Sequence, residues 1–540
     1  MSVPKTALEE GLPSQSISIP MDHAAVPADQ AVSRAAGRHH TGVRAWALTL
    51  ALFLTPLVTY WPATFHDYGL RDDYSNLREA HEEPGTILKF CASHGRPIYG
   101  WLLQSSYGQA GSMQDLHWMR FSAALLLGAI GLVMFRGLRA LGWPLASSLC
   151  FGVLMALLPA SQVIAGWAVG WPYAATALLA TLGFFIVEGT LSAWDDAGRG
   201  RIAGQCLLAL AIMWVCALIY QPSALFYAVP LAGALIARRD RGLAQTVRWL
   251  GLHMSFVFTA LILAFATISA LYSRGIFLKS GRIAFEQHAG EKLLWFFTDA
   301  LPNGLSMLVL NDDNQRDHGW FIACAVLVAA LLVGGLILEW RRHGSARGLT
   351  WAMGLFGLPV FAAGISLLAS ERYATYRTIF AMSAVLLCFL VASVSALTSG
   401  WAPSARRMLA AGVTGLALFM AQHHVFALIA VPQGHEWQLI MNGAAQVRLN
   451  APSQPQIFAL ASSPRDISTA TIYHDEFGSL SSNSEWVPKE MFKRAMHDLH
   501  PDVPNLESRY DFSEGYRLPP GQHFDVIIDM HQLRRFHADD

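Results

Sequence analysis

Residues 319–338 read GWFIACAVLVAALLVGGLIL, an uncharged run followed at once by Glu339-Trp340-Arg341-Arg342. As a helix at 1.5 Å per residue, such a run is ~30 Å long, the thickness of a bilayer's hydrocarbon core. A helix on a soluble core needs an apolar stripe only, whereas this one is apolar on every side. Working outward, the same signature recurs. The sequence predicts eleven membrane spans, at about 43–61, 120–138, 145–163, 172–190, 203–220, 222–237, 249–271, 319–338, 349–369, 378–398 and 408–430. Composition agrees: of 540 residues, 53% are hydrophobic and 14% charged, against about 25% charged in soluble domains. A disordered chain, a coiled coil and an ordinary soluble enzyme are excluded.

Orientation follows from the bias of Lys and Arg toward cytoplasmic loops. With residues 1–42 as a disordered cytoplasmic tail, strict alternation puts five clusters on one side. They are Arg136/Arg139, Arg199/Arg201, Arg238/Arg239/Arg241/Arg248, Arg341/Arg342/Arg347 and Arg406/Arg407. Residues 62–119, 273–318, 370–377 and 432–540 then face outward. The orientation of the later loops depends on the tight reversal at Tyr220-Gln221-Pro222; a single kinked span there would invert every one of them.

The net charge of zero hides an acidic C-terminal segment, 432–540, with 15 Asp/Glu against 9 Lys/Arg. Its runs 456–461 and 524–530 read as buried strands, and 488–500 as a helix with Pro in its first turn. A small α/β domain is expected. The fold class is therefore an α-helical polytopic membrane protein carrying that domain. No polybasic stripe points to nucleic acid. Five of the six cysteines lie in apolar runs and Cys91 stands alone, so no disulfide framework is expected.

The first outer loop carries the chemistry. It runs His66-Asp67-Tyr68-Gly69-Leu70-Arg71-Asp72-Asp73-Tyr74-Ser75-Asn76-Leu77-Arg78 and continues to Ser93-His94-Gly95-Arg96-Pro97-Ile98-Tyr99-Gly100-Trp101. Its apolar residues are spaced for helices lying on the membrane. Asp72 and Asp73 follow closely on a span, which places them near the membrane surface. Of two adjacent carboxylates, one can stay ionised as a general base while the other binds a hydroxyl or a metal. The alternative is a solvated pair, as read for Asp195-Asp196; Asp312-Asp313 is a weaker rival.

The string Arg-Asp-Asp-Tyr-Ser-Asn-Leu-Arg, with His-Gly-Arg-Pro-Ile further on, resembles the first outer loop of the O-antigen glucosyltransferase II family. These are bacterial and phage glycosyltransferases of the polytopic C-type (GT-C) superfamily. The resemblance extends to Tyr220-Gln221-Pro222 and, more loosely, to Glu371-Arg372 through Arg377. It covers the architecture of about 43–430 and leaves the C-terminal domain out. It implies a protein of the bacterial inner membrane, in which the Arg bias puts the N-terminus in the cytoplasm and the C-terminal domain in the periplasm. It also implies transfer of a hexose from a polyprenyl-phosphate donor to an envelope glycan such as O-antigen, outside the membrane.

In that reading Asp72 or Asp73 takes the acceptor's proton. Arginine, with its planar fork of donors, suits the leaving phosphate. Arg96 is the first candidate, since Gly95 permits close approach and Pro97 stiffens the turn; Arg372 and Arg377 follow. Each has a bland alternative, an ion pair or snorkelling to the interface. Arg71, His94, Tyr220, Gln221 and Trp171 are candidates for substrate contact. Trp171, with Trp167 and Tyr173, would stack on a sugar ring or else belong to an interfacial aromatic belt. Arg274, Lys279 and Arg282 fit lipid headgroups. A divalent cation is compatible with His66, Asp67, Asp72 and Asp73, although no spaced His/Cys set completes a site. His474-Asp475-Glu476 reads as an exposed turn or an acceptor contact. Two rivals stand beside the transferase: an O-antigen ligase or polymerase, and a flippase or transporter of lipid-linked glycans, which needs polar groups at the midplane.

Overall fold

The computed structural model describes residues 28–194, 198–239, 241–281, 283–309, 319–450, 453–461, 479–484 and 486–536. The chain divides into two compact units, 1–50 and 51–540; the site lies in the second. Helix α1 (Ala28–Thr64) begins inside the stretch expected to be a disordered tail. The Ala-rich run from Ala28 to Ala36 has the helix propensity to do so. Three short helices follow: α2 (Asp72–Glu82), α3 (Thr86–Ser93) and α4 (Pro97–Tyr107).

The bundle continues through α5 (Leu116–Ala140), α6 (Leu145–Met155), α7 (Pro159–Gly166), α8 (Trp171–Ser192), α9 (Arg199–Ile219), α10 (Gln221–Ala224), α11 (Ala228–Ala237) and α12 (Leu243–Ser273). The short α13 (Ala289–Trp295) and α14 (Leu301–Ser306) lead into α15 (Gly319–His343), α16 (Ser345–Ala362), α17 (Gly364–Leu368), α18 (Phe380–Leu397), α19 (Pro403–His424) and α20 (Val431–Ala444).

Among the described residues, eight helices are long and apolar enough to cross a membrane, and nine if the bent pair α6–α7 is one span. The chain is thus a polytopic helical protein, with fewer such helices than the eleven spans expected. Each difference has a local cause. Pro159 lacks the N–H that would continue α6, and the pair bends by 47°. The segment Gln221–Ala237 is shorter than a typical span. Helix α16 carries the buried Arg347 in its first turn and contains Pro359, which leaves it a short apolar stretch. At the other extreme, Pro403–Ala444 is one run of 42 residues. A π-helical segment, Val425–Ala430, joins α19 to α20 and carries the helix past Pro432, where the soluble domain was expected to start. Its widened ladder tolerates the missing proline N–H.

The reversal at Tyr220 is real. Tyr173, near the start of α8, packs on the Tyr220 ring at 4.3 Å, while Glu188, near the end of α8, pairs with Arg238 after α11. The chain from Tyr220 to Arg238 therefore runs back along about four turns of α8, ~22 Å of helix. Three of the basic clusters, those of Arg139, Arg238/Arg239 and Arg342/Arg347, meet at the Arg238 end. Arg239 and Arg347 both bond Glu339, Trp143 donates to the Gly233 carbonyl beside Arg139, and Arg342 reaches Ser399. Small residues let the helices approach closely: a Cβ on Gly131 would lie 2.9 Å from the Gly152 carbonyl oxygen.

The expected α/β domain is present. Strands β1 (Gln456–Leu460), β2 (Asp511–Gly515) and β3 (Val526–Asp529) form a parallel sheet in the order β2-β1-β3. Helix α21 (Val487–Leu499) precedes β2 and buries Met491, Phe492 and Ala495. Strand β2, Asp-Phe-Ser-Glu-Gly, is too polar to read as a strand from sequence.

Candidate active site

The two carboxylates occupy the first turn of α2, where the helix dipole favours negative charge. They do different things. Asp73 is fully buried. Its Oδ2 accepts the Leu70 N–H at 2.9 Å and its Oδ1 accepts the Tyr107 hydroxyl at 2.5 Å. Its own N–H donates to the Leu70 carbonyl, closing a reciprocal cap. Burial pushes the Asp73 carboxyl up to about 7, against the opposing pull of those two donors. Asp72 is only half-buried. Loss of water raises its pKa, opposed by the positive charges of Arg377, Arg71 and Arg96, in that order. Three arginines from three chain segments thus act on one carboxylate.

Arg71 brings Asp72 into place with a backbone that side chains rarely adopt, at φ 45° and ψ −101°. Its N–H donates to Ser481 Oγ at 2.9 Å and its guanidinium reaches Ser479 Oγ at 3.3 Å. Behind it, Arg120 donates to the carbonyls of Tyr68 and His66 at 3.0 and 2.9 Å and lies over the Tyr68 ring. The Tyr68 hydroxyl donates to the Gly166 carbonyl. The loop is thereby fixed to α5 and α7.

Arg96 follows the turn that closes α3. Gly95 takes φ 76°, open to glycine, and the Arg96 N–H reaches back to the Cys91 carbonyl at 3.0 Å. Pro97 then opens α4. The Arg96 guanidinium lies over the rings of Tyr220 and Tyr99, 5.6 and 5.9 Å from their centroids, within cation–π range. Tyr99 and Tyr173 stack and share a 2.7 Å hydroxyl hydrogen bond. Gln221 Nε2 donates to the Gly95 carbonyl at 2.8 Å, tying the α9–α10 reversal to the Gly-Arg-Pro turn. Tyr220 and Gln221 therefore do belong to this cluster. Trp171 is half-buried at the start of α8, two positions before Tyr173.

Arg377 stacks on Trp167, 4.7 Å from the ring centroid. Trp167 is buried, and among the described residues its indole N–H has no hydrogen-bond partner. Arg372 is separated from this group: it is exposed and bonds exposed Glu291 at 2.8 Å. The four loop residues between them direct the two side chains differently, and Arg372 is not among the charges acting on Asp72. His94 is taken up in structure, with Nδ1 at 2.8 Å from the Phe90 carbonyl and Nε2 at 3.1 Å from Ser280 Oγ.

Several contributors were not legible as such. Tyr107, at the end of α4, carries no local motif, and nothing in the sequence indicates that Tyr99 of α4 meets Tyr173 of α8. Lys292 is buried and donates to the Glu371 carbonyl at 2.6 Å, while Asn303 donates to the Ala374 carbonyl at 3.0 Å; together they hold the loop bearing Arg377. The C-terminal domain docks on α2, with Arg78 Nε 2.9 Å from Glu490. Asp195-Asp196, Arg282, Asp312-Asp313 and His474-Asp475-Glu476 lie outside the described residues. Arg274 and Lys279 are exposed. Among the described residues, no group of three or more His, Cys, Asp or Glu side chains is placed to hold a metal ion.

No protein-family model and no curated protein sequence matches this chain.

Proposed function

We propose that the protein is a membrane glycosyltransferase that moves a hexose from a polyprenyl-phosphate donor to an envelope glycan at the non-cytoplasmic face of a bacterial inner membrane. The observation that carries the reading is Asp72, a half-buried carboxylate under the charges of Arg71, Arg96 and Arg377 at one end of a membrane bundle. Between the two carboxylates, the base is Asp72, because both Asp73 oxygens are engaged in holding the turn.

In the reaction, the Asp72 carboxylate takes the proton of the acceptor hydroxyl. That oxygen bonds to the anomeric carbon from the face opposite the phosphate. The anomeric carbon–oxygen bond to phosphate breaks, and polyprenyl phosphate leaves with the electron pair. Arg96 and Arg377, stacked on aromatic rings and so restrained, stabilise the charge that develops there. A raised pKa makes Asp72 a better proton acceptor than a solvated aspartate.

A transporter reading has less to rest on. The buried acids Glu188 and Glu339 are paired, with Arg238 and His253 for the first and with Arg239 and Arg347 for the second, and both sit at the end opposite Asp72. The test is mass spectrometry of envelope glycans from wild type, a deletion strain and an Asp72→Asn strain. The reading expects loss of one hexose-type substituent in both mutants, with the variant protein still inserted. An unchanged glycan in the deletion strain would refute it.

A further inference from the structure

The C-terminal domain reaches Arg71, the residue before the candidate base, through the hydroxyls of Ser481 and Ser479, and only Ser481 holds its backbone. We propose that Ser481 is a positioning residue for Asp72, and that the domain therefore belongs to the catalytic apparatus. This inference rests on the transferase reading above.

Ser481 is fully buried between two anchors. On one side, α20 fixes its backbone and its proton: Gln433 Oε1 accepts the Ser481 hydroxyl at 2.6 Å, and Glu436 Oε2 accepts its N–H at 3.1 Å. Glu436 Oε1 also accepts the Ser482 N–H at 2.9 Å. With its proton committed to Gln433, the Ser481 oxygen is left as an acceptor, and it takes the Arg71 N–H at 2.9 Å. The two residues are 410 positions apart in sequence.

What this bond restrains is specific. Arg71 is a non-glycine residue at positive φ, a conformation that persists only where its surroundings over-determine it. Two donors of the turn are tied down in succession, the Leu70 N–H by Asp73 and the Arg71 N–H by Ser481. Asp72 is the next residue, so its backbone direction follows from Arg71. If Ser481 lets go, Arg71 relaxes toward an ordinary conformation and Asp72 swings away from the acceptor. Arg96 and Arg377 are held by other contacts, so donor binding survives.

The experiment uses the full chain in detergent, as wild type, Ser481→Ala, Ser481→Thr and Glu490→Gln. Hydrogen exchange is read on peptides covering 69–74 and 78–84, and transfer kinetics with a labelled polyprenyl-phosphate hexose. Ser481→Ala should exchange about tenfold faster at 69–74, the scale of one lost hydrogen bond, and leave peptides of β1 and α21 unchanged. Its kcat should fall with the donor KM unchanged, and Ser481→Thr, which keeps the oxygen, should restore much of both. Glu490→Gln removes a C-terminal-domain partner of Arg78 while leaving Glu82 and Glu83, and should loosen 78–84 modestly while sparing kcat. Unaltered exchange at 69–74 in Ser481→Ala overturns the proposal, as does faster exchange with an intact kcat. If wild type transfers nothing, the transferase reading fails by itself, and the exchange data still decide whether the domain holds the turn.

Discussion

Replacing Tyr107 by Phe removes one hydroxyl and tests the division of labour between the two aspartates. The 2.5 Å bond from Tyr107 to Asp73 is made to a buried carboxylate, and hydrogen bonds to charged groups are worth about 1.5–3 kcal/mol. Its loss therefore pushes the Asp73 carboxyl, already raised to about 7 by burial, higher still in the variant. Its folded pKa lies above the ordinary aspartate value of 3.8. The folded state therefore binds this proton more tightly than the unfolded state, and stability falls as pH rises from about 4 to the folded pKa, then levels off. In Tyr107→Phe the fall continues beyond pH 7. The variant's deficit should be small at pH 5.5 and grow to about 1.5–3 kcal/mol by pH 9.5. Hydrogen exchange of the 69–74 peptide, corrected for intrinsic rates, reads this as the free energy of local opening. A deficit of equal size at both pH values, or none at all, would refute the assignment of Asp73 as the clamp of the turn.

Three further outcomes follow from the same geometry. Transfer should be lost as pH falls through the raised pKa of Asp72; Arg377→Gln removes the strongest of the charges favouring its ionised form and should shift that acid limb to higher pH in a kcat–pH profile. Arg96→Lys loses the planar stacked fork and should weaken transfer strongly, whereas Arg372→Ala breaks an exposed pair and should cost about 0–1 kcal/mol in stability with kcat intact. Gly100→Ala would place a Cβ 2.7 Å from the Cys91 Cβ and 3.0 Å from the Leu88 backbone; overpacking the α3–α4 hairpin should cost about 1–3 kcal/mol and disturb Arg96, measured as a lower melting temperature and lower transfer.

The sequence was most informative where one local property decides the structure. Uncharged runs of bilayer length marked the membrane helices, and the Asp72-Asp73 and Gly95-Arg96-Pro97 motifs marked two turns that meet in space. It was least informative where a loop chooses between neighbours. Arg372 and Arg377 have the same chemistry and similar setting, and only the path fixed by Lys292 and Asn303 sends one to Trp167 and the other to Glu291. Nor can sequence separate Asp72 from Asp73, since the distinction depends on Tyr107 arriving from another helix. Ser481 gave no signal at all: it sits in a polar run without periodicity, and its importance arises from a contact with Arg71 across almost the whole chain.

The most direct measurement is transfer by the purified protein in liposomes, using a labelled polyprenyl-phosphate hexose and a hydroxyl-bearing glycan acceptor. Wild type should form a glycosidic product, and Asp72→Asn should lower kcat by about 10²–10⁴-fold, the range for removing a general base, while still binding donor. Wild-type transfer that persists at full rate in Asp72→Asn, or movement of the lipid across the bilayer with no sugar transferred, would contradict the account.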